Sequence, residues 1–326
     1  MVDHEHARFT RLPYAGLRMK RTSPLRDLDD WQAACRAHPE ARILPVWRGR
    51  NLIQGWDGRD SDASPEQDLR SRALPPAAVE GVEVILLGVD GDAPVLAADL
   101  SDWPQDRADA LEADADFVDL RQIGPALSAE DAALLSYARG MVHWHRTHRH
   151  CGRCGTAMAN QKGGMLRRCR DEECGGIAFP RIDPAVIVLV EDGGLHGDGI
   201  PRCLLGRAPG WPKGVYSTLA GFVEPGESLE ETVAREVREE SGIGIREVHY
   251  KASQPWPFPS SLMLGFHATA RTLEITRHDK ELEDARWFTA AELRSAGTWG
   301  EDHEICLPRR DSIARFLIDV WLQDQD

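Results

Sequence analysis

The sequence predicts a mixed α/β (α+β) protein, and three observations carry that prediction. Short apolar, β-branched runs stand at residues 82–89, 185–190, 217–223 and 262–272. Apolar residues recur at helical spacing over 128–144, 229–241 and 312–322. In the second half of the chain strands precede, flank and follow helices instead of segregating from them. The 326 residues exceed one ordinary domain and fit about two. A hydrophobic fraction of 42% with ten Trp excludes wholesale disorder, and 28% charged residues with no long apolar run exclude a membrane span and a membrane partner. The first ten residues are charged and lack the apolar core of a secretory signal, so a cytoplasmic location is expected. Seven Cys, an odd number in a reducing compartment, point to metal binding or free thiols before a disulfide framework.

Taken in order, residues 1 to about 130 name no chemistry. They hold the strand at 82–89, a Gly, Asp and Ser-rich surface loop at 55–67, and an acid-rich stretch at 99–116 with Arg107 its only base. Ser128 is a candidate N-cap for a helix over 128–144, with Leu134, Leu135, Ala138, Met141 and Val142 at helical spacing. There is no internal repeat at a solenoid-like period. Further on, residues 185–190 and 203–206 around the Gly and Asp turn at 191–199 predict a hairpin. A third strand at 217–223 leads into a helix over 229–241. Ser228 and Glu231 form its capping box, Leu229, Val233 and Val237 its buried stripe, and Gly242 its stop. Strands at 262–272 and 285–288 and a helix at 312–322 complete the chain.

The net charge of −14 is unevenly spread. Residues 132–170 contain no Asp or Glu, yet carry Arg139, Arg146, Arg149, Arg153, Lys162, Arg167, Arg168 and Arg170, with His143, His145, His148 and His150 among them. Setting these eight bases aside leaves 31 bases against 53 acids, or −22, so an anionic ligand would be drawn to this basic island. A solvated helix face is the plain alternative for any charge run. The average still argues against coating nucleic acid over the whole surface.

Cys151-x2-Cys154 is followed after fourteen residues by Cys169-x4-Cys174, each pair among glycines. Four thiolates complete the tetrahedral shell of Zn²⁺ and leave no position for water, so the ion would be structural. His150 reads as a surface residue or a neighbour of the ligands, and Cys35, Cys203 and Cys306 as buried thiols.

The helix at 229–241 places Glu236, Glu239 and Glu240 at i, i+3, i+4, three like charges near the end of the helix whose dipole disfavours acids, a cost of roughly 0.3 to 1 kcal/mol each. A hard cation, Mg²⁺ or Mn²⁺, would compensate; a Glu-rich solvated face is the alternative. The flanks decide between them. Gly221, Glu227, Arg235, Glu236, Val237, Glu239, Glu240, Gly242 and Ile243 match all nine defined positions of the Nudix box, G-x5-E-x7-R-E-U-x-E-E-x-G-U with U aliphatic. The chain thus resembles the Nudix hydrolases, which cleave the diphosphate of a nucleoside diphosphate linked to another group. The resemblance implies a C-terminal α/β/α sandwich with a mixed sheet, Glu236 and Glu240 as main metal ligands, Glu239 as a further ligand or water-orienting group, and an Arg235–Glu227 ion pair.

Residues 253–263 read Ser-Gln-Pro-Trp-Pro-Phe-Pro-Ser-Ser-Leu-Met. Trp256 and Phe258 offer faces for stacking and the prolines stiffen the backbone, although such a loop is more often a packed turn or a polyproline ligand. After a Nudix box it resembles the NADH pyrophosphatase subfamily. That likeness extends to the order of parts, implying an N-terminal domain at 1–145, a zinc ribbon at 146–180 and a Nudix domain at 181–326. It further implies that Gln254, Pro255, Trp256, Pro257, Phe258, Pro259, Ser260 and Ser261 line the nucleotide pocket and that the Ala220 carbonyl and Glu281 complete the metal site, with Glu283 the competitor for the latter. Ala314 would touch substrate. Phe179 stands where the subfamily has Tyr, which loses a phenol hydrogen bond and keeps stacking, and Arg121 is the candidate substrate-binding Arg of the N-terminal domain. The implied reaction is hydrolysis of NAD(H) to AMP and nicotinamide mononucleotide, by a homodimer. Two alternatives stay open: removal of an NAD cap from RNA, with Arg167 and Arg168 of the basic island following the first phosphates, and a non-catalytic nucleotide sensor.

Overall fold

Strand-forming runs build a six-stranded mixed sheet in each half of the chain. The computed structural model describes residues 12–59, 68–277 and 281–325. Two units divide the chain: residues 13–182 with 256–260, and residues 183–255 with 261–326 and Leu12.

The first unit contains α1 (Trp31–Ala37), β1 (Arg42–Trp47), β2 (Arg50–Gln54), β3 (Arg70–Ser71), β4 (Val84–Asp90), β5 (Ala93–Asp99), α2 (Gln105–Asp109), β6 (Ala115–Val118), α3 (Leu120–Ile123) and α4 (Ala129–Thr147). Its sheet order is β3-β2-β1-β5-β4 with β6 also on β2, and β1 and β5 run parallel. Strand alternation sends neighbours to opposite faces. Leu44 and Leu87 pack with Leu135, Ala138, Met141 and Val142 of α4, while Ile43 and Leu86 pack with Trp31 of α1. The helix begins where expected, with Ser128 Oγ accepting from Asp131 N at 3.1 Å. Of the expected loop at 55–67, residues 60–67 lie outside the described residues, and residues 55–59 are bends and irregular backbone. Strands β7 (Met158–Gln161), β8 (Leu166–Cys169) and β9 (Ile177–Ala178) form a small antiparallel sheet in the same unit.

The second unit contains β10 (Asp183–Glu191), β11 (Arg202–Arg207), β12 (Leu219–Phe222), α5 (Leu229–Ser241), β13 (Ile245–Trp256), β14 (Ser261–Ala270), β15 (Asp284–Thr289), α6 (Ala290–Arg294), β16 (Gly297–Thr298), β17 (Cys306–Leu307) and α7 (Ile313–Gln323). The sheet order is β13-β14-β10-β11-β15 with β12 on β10, and β10 and β14 run parallel. Val233 and Val237 of α5 pack on Val186, Val188 and Phe266. Leu317, Ile318 and Trp321 of α7 pack on the other face with Ile187, Leu189 and Phe288. Helix, sheet and helix are stacked as an α/β/α sandwich. Residues 253–263, read as a loop, are instead the end of β13, a turn and the start of β14.

The two sheets share a topology that the sequence does not disclose as a repeat. The path β4-β5-β1-β2-β6 matches β13-β14-β10-β11-β15: the second and third strands are parallel in both, and the pairs on either side of β1 and β10 correspond. The short strand outside this path differs in partner, β3 pairing β2 where β12 pairs β10, and so does the connection that follows it. Where the second unit has α5, the described residues between β3 and β4 hold only a short 3₁₀ turn, Pro76–Val79. No helix among the described residues is long and apolar enough to cross a membrane.

Candidate active site

Helix α5 is built as its sequence predicts. Ser228 Oγ accepts from Glu231 N at 3.2 Å, Glu231 Oε2 accepts from Ser228 N at 2.8 Å, and Gly242 closes the helix in the left-handed region at φ 74°. Arg235 is the centre of its polar face. Its Nε and Nη2 donate to the two Glu227 oxygens at 2.6 and 2.9 Å, and Nη2 also donates to the Phe222 carbonyl at 2.9 Å. This is the expected ion pair, and it holds the Glu227 carboxyl down at about 2. The remaining nitrogen goes further than expected, donating to Glu236 Oε1 at 2.9 Å and Glu239 Oε2 at 3.1 Å.

Glu236 and Glu240 are buried, and Glu239 is exposed. Burial pushes the Glu236 carboxyl up, against the pull of Arg235, and the charges of Glu239 and Glu281 push it the same way. Glu281 therefore shares the electrostatic neighbourhood of Glu236. Its competitor Glu283 is engaged by Arg207. The Glu236 carboxylate lies against the α-carbon of Gly221 on β12, where a Cβ would fall 1.9 Å from Glu236 Cδ. Only glycine leaves the carboxylate where it stands, since any side chain at 221 must displace it. Three carboxylates, Glu227, Glu236 and Glu239, contact the single guanidinium of Arg235, and with Glu240 of the same helix the formal charge is −3 before Glu281 is added. An oxygen-donor set of this sign, with two members buried, suits hard divalent cations. The acidic side chains are not drawn into one tight shell; among the described residues the group that converges so closely is the four cysteines.

The sulfurs of Cys151, Cys154, Cys169 and Cys174 lie within 4.8 Å of one another, as a single tetrahedral ion requires. Hydrogen bonds from Thr156 lower the Cys154 thiol to about 6, while burial pushes Cys169 up to about 12. All-thiolate ligation to one ion would override that difference. His150 is exposed, and Cys35, Cys203 and Cys306 are buried thiols.

Gln254 is fully buried: its Nε2 donates to the Asp311 carbonyl at 2.7 Å and its Oε1 accepts from Ile313 N at 2.8 Å. The amide thus fixes the start of α7, where Ala314 sits, and does not present itself to a ligand. In the first unit, Arg121 lies at the tip formed by residues 256–260. Its Cζ is 4.6 Å from the Phe258 ring centroid, and its Nη2 donates to the Phe258 carbonyl at 3.4 Å. Phe258 is buried, edge-on to Trp256 and to Tyr14, so its faces are spent on the protein, and Trp256 is the partly exposed ring. Pro257 is buried and Pro259 exposed; Pro255, Ser260 and Ser261 are half-buried. Phe179 is 61% exposed. Two residues of the tip's surroundings were not singled out by the sequence: Tyr14, which sits in no pattern, and Arg139, visible only as one base of the island.

The island itself is largely paired off. Arg139 bonds Asp119, Arg146 bonds Asp99 and Asp102, Arg149 bonds Asp102, and Lys162 bonds Asp27. Arg167, expected to follow RNA phosphates, is buried. Its Nη1 donates to the His145 and His148 carbonyls at 2.7 and 2.8 Å, its Nε to Asn160 Oδ1 at 2.8 Å. Arg168 and Arg170 are exposed without an ion pair among the described residues, as is Arg153.

Three family models match the chain: the NUDIX domain over residues 181–309, an NADH pyrophosphatase-like rudimentary NUDIX domain over 40–144, and an NADH pyrophosphatase zinc ribbon domain over 146–179. The rudimentary match falls on the sheet that lacks a counterpart of α5. The chain is 38% identical over 299 residues to the NAD-capped RNA hydrolase NudC of Mycobacterium bovis, covering 90% of this chain and 89% of that one. It is 46% identical over 203 residues to a protein of the same name from Stutzerimonas stutzeri, covering 62% of this chain and 66% of that one. It is 41% identical over 203 residues to the human NAD-capped RNA hydrolase NUDT12, covering 60% of this chain and 43% of that protein's length.

Proposed function

Because the chain belongs to the Nudix hydrolase family, we propose that it hydrolyses the diphosphate of NAD(H), giving AMP and nicotinamide mononucleotide in its oxidised or reduced form. The observation that carries this reading is the intact carboxylate set on α5, with Glu236 seated against Gly221. Glu236, Glu240, Glu281 and the Ala220 carbonyl would hold Mg²⁺ or Mn²⁺. When bound, such ions neutralise the diphosphate and lower the pKa of water. Arg235 holds Glu236 and Glu239 in fixed positions, which supports Glu239 as the group that orients the attacking water. Zn²⁺ on the four cysteines is structural. Residues 255–261, Arg121, Phe179 and Ala314 are assigned to nucleotide binding. Gln254 contributes by fixing the start of α7.

Incubation with NAD⁺, NADH, ADP-ribose and diadenosine polyphosphates in Mg²⁺ or Mn²⁺, with products resolved, tests the reading: AMP from NAD(H) is expected, and no AMP from any of them would favour the sensor. Glu240→Gln should abolish turnover while the zinc content stays unchanged; retained turnover would remove Glu240 from the metal site.

A second substrate is favoured by the names of the relatives, all called NAD-capped RNA hydrolases. Arg168→Glu with Arg170→Glu should weaken cleavage of NAD-capped RNA and lower its salt dependence, with free NAD little changed. Equal losses on both substrates would remove these arginines from RNA recognition. A cytoplasmic homodimer completes the reading, and light scattering at twice the 36.3 kDa chain mass tests its assembly.

A further inference from the structure

A guanidinium is rigid, planar and able to donate along several edges at once, so a buried arginine that uses two of those edges fixes whatever it touches. Arg139 projects from α4, and its side chain is 15% exposed. Its Nε donates to the Pro257 carbonyl at 3.0 Å, its Nη1 donates to Asp119 Oδ1 at 3.1 Å, and its Cζ lies 4.8 Å from the Phe258 ring centroid. Arg121 approaches the same ring at 4.6 Å, so one aromatic ring receives two cations. Asp119 organises both, since its Oδ1 also accepts from the Arg121 backbone N at 3.0 Å. Pro257 and Pro259 border a cavity of about 360 Å³ that Arg139 also lines. On that side the tip borders open space, and Arg139 ties it through the Pro257 carbonyl, beside the longer bond from Arg121 to the Phe258 carbonyl.

We propose that Arg139 is a positioning residue for nucleotide recognition: through the Pro257 carbonyl and the Phe258 ring it fixes the aromatic tip at residues 256–260. The assignment rests on the reading that this tip serves the nucleotide pocket of an NAD(H) diphosphatase. Because Arg139 donates to Pro257 and Asp119 and acts through the tip, its loss would fall on substrate capture and leave the chemical step in place. Lysine keeps the charge but cannot bridge Pro257 and Asp119 with a planar fork.

Steady-state hydrolysis of NAD(H) by the full chain tests this with Arg139→Lys, Arg139→Gln, Phe258→Leu and the double variant Arg139→Lys/Phe258→Leu, with zinc content measured on each. Both single substitutions at Arg139 should raise KM about tenfold with kcat within about threefold of the parent. The double variant should be worse than the poorer single variant by no more than about twofold, because Arg139 acts through the ring. An unchanged KM in Arg139→Lys, multiplicative losses in the double variant, or loss of zinc in both Arg139 variants would each overturn the proposal. A parent protein that leaves NAD(H) intact would instead overturn the reading beneath it.

Discussion

At the scale of one residue, the geometry of the carboxylate site depends on the absence of a side chain at position 221. The glycine of the box was legible in the sequence as a pattern, but its physical reason was not, because that reason is a strand and a helix meeting: β12 brings the α-carbon of Gly221 onto the carboxylate of Glu236. A methyl group there must displace the carboxylate, since a contact of 1.9 Å cannot be absorbed by small shifts. Displacement by an ångström at a reacting centre costs on the order of a hundredfold in rate. Gly221→Ala should therefore lower kcat for NAD(H) about a hundredfold or more while circular dichroism and zinc content match the parent. A loss below about fivefold would show that the position of Glu236 is not limiting. Gln254 teaches the complementary lesson. It belongs to the family pattern, yet it is invisible to solvent and spends its amide on Asp311 and Ile313. A pattern says that a residue matters without saying whether it touches the ligand.

At the scale of elements, α5 was legible from end to end because its cap, stripe and stop are all local in sequence. Strand β13 was missed for the opposite reason. It is the outer strand in its sheet order, and although Val248, Tyr250 and Ala252 alternate with Glu247, His249 and Lys251, the alternation is short, set among charged residues and leaves Tyr250 exposed. The basic island was legible as composition, whereas its acidic partners lie far away in sequence, as with Asp99 and Arg146 at a separation of 47 residues. Arg167 carries the sharpest consequence. Its guanidinium joins the ribbon strand β8 to the end of α4 through two carbonyls, so removing it leaves those acceptors buried without their donor. Arg167→Met should cost about 2 to 4 kcal/mol in chemical denaturation and speed the release of zinc to a chelator. Arg168→Glu, on the exposed face of the same strand, should stay within about 0.5 kcal/mol. Equal stability of the two variants would contradict the division between a buried lock and a surface charge.

At the scale of the whole molecule, one sheet topology occurs twice, once with the carboxylate helix and once without, although no repeat is legible in the sequence. Topology is kept by which strands pair, and many unrelated apolar sequences satisfy the same pairing. Among the described residues each unit also buries one histidine that the proposed chemistry does not use. His145 Nε2 meets the Gly164 carbonyl at 2.8 Å, with Arg167, Asp99 and His148 around it. His267 Nε2 meets the Leu317 carbonyl at 3.0 Å, facing Lys251, Asp324 and His249. Burial lowers both imidazoles from 6.5 to about 4. The unfolded chain therefore takes up a proton near pH 6.5 that the folded chain refuses until about pH 4, so stability is whole above pH 6.5 and drains as the pH falls between those values. The loss has an upper limit of roughly 3 kcal/mol for each histidine. Glu227, held at about 2 from an ordinary 4.5, withdraws its contribution only at lower pH, so the histidines act apart from it between 6.5 and 4.5. Protonation of the zinc thiolates adds an acid-sensitive step of its own in the first unit, which makes His267 in the second unit the cleaner probe. The melting temperature of the parent should be nearly flat above pH 7 and fall from pH 6.5 to 4.5. His267→Gln, whose amide can still donate to the Leu317 carbonyl, should flatten that fall relative to the parent, and an unchanged slope would mean that His267 does not resist protonation in the folded chain.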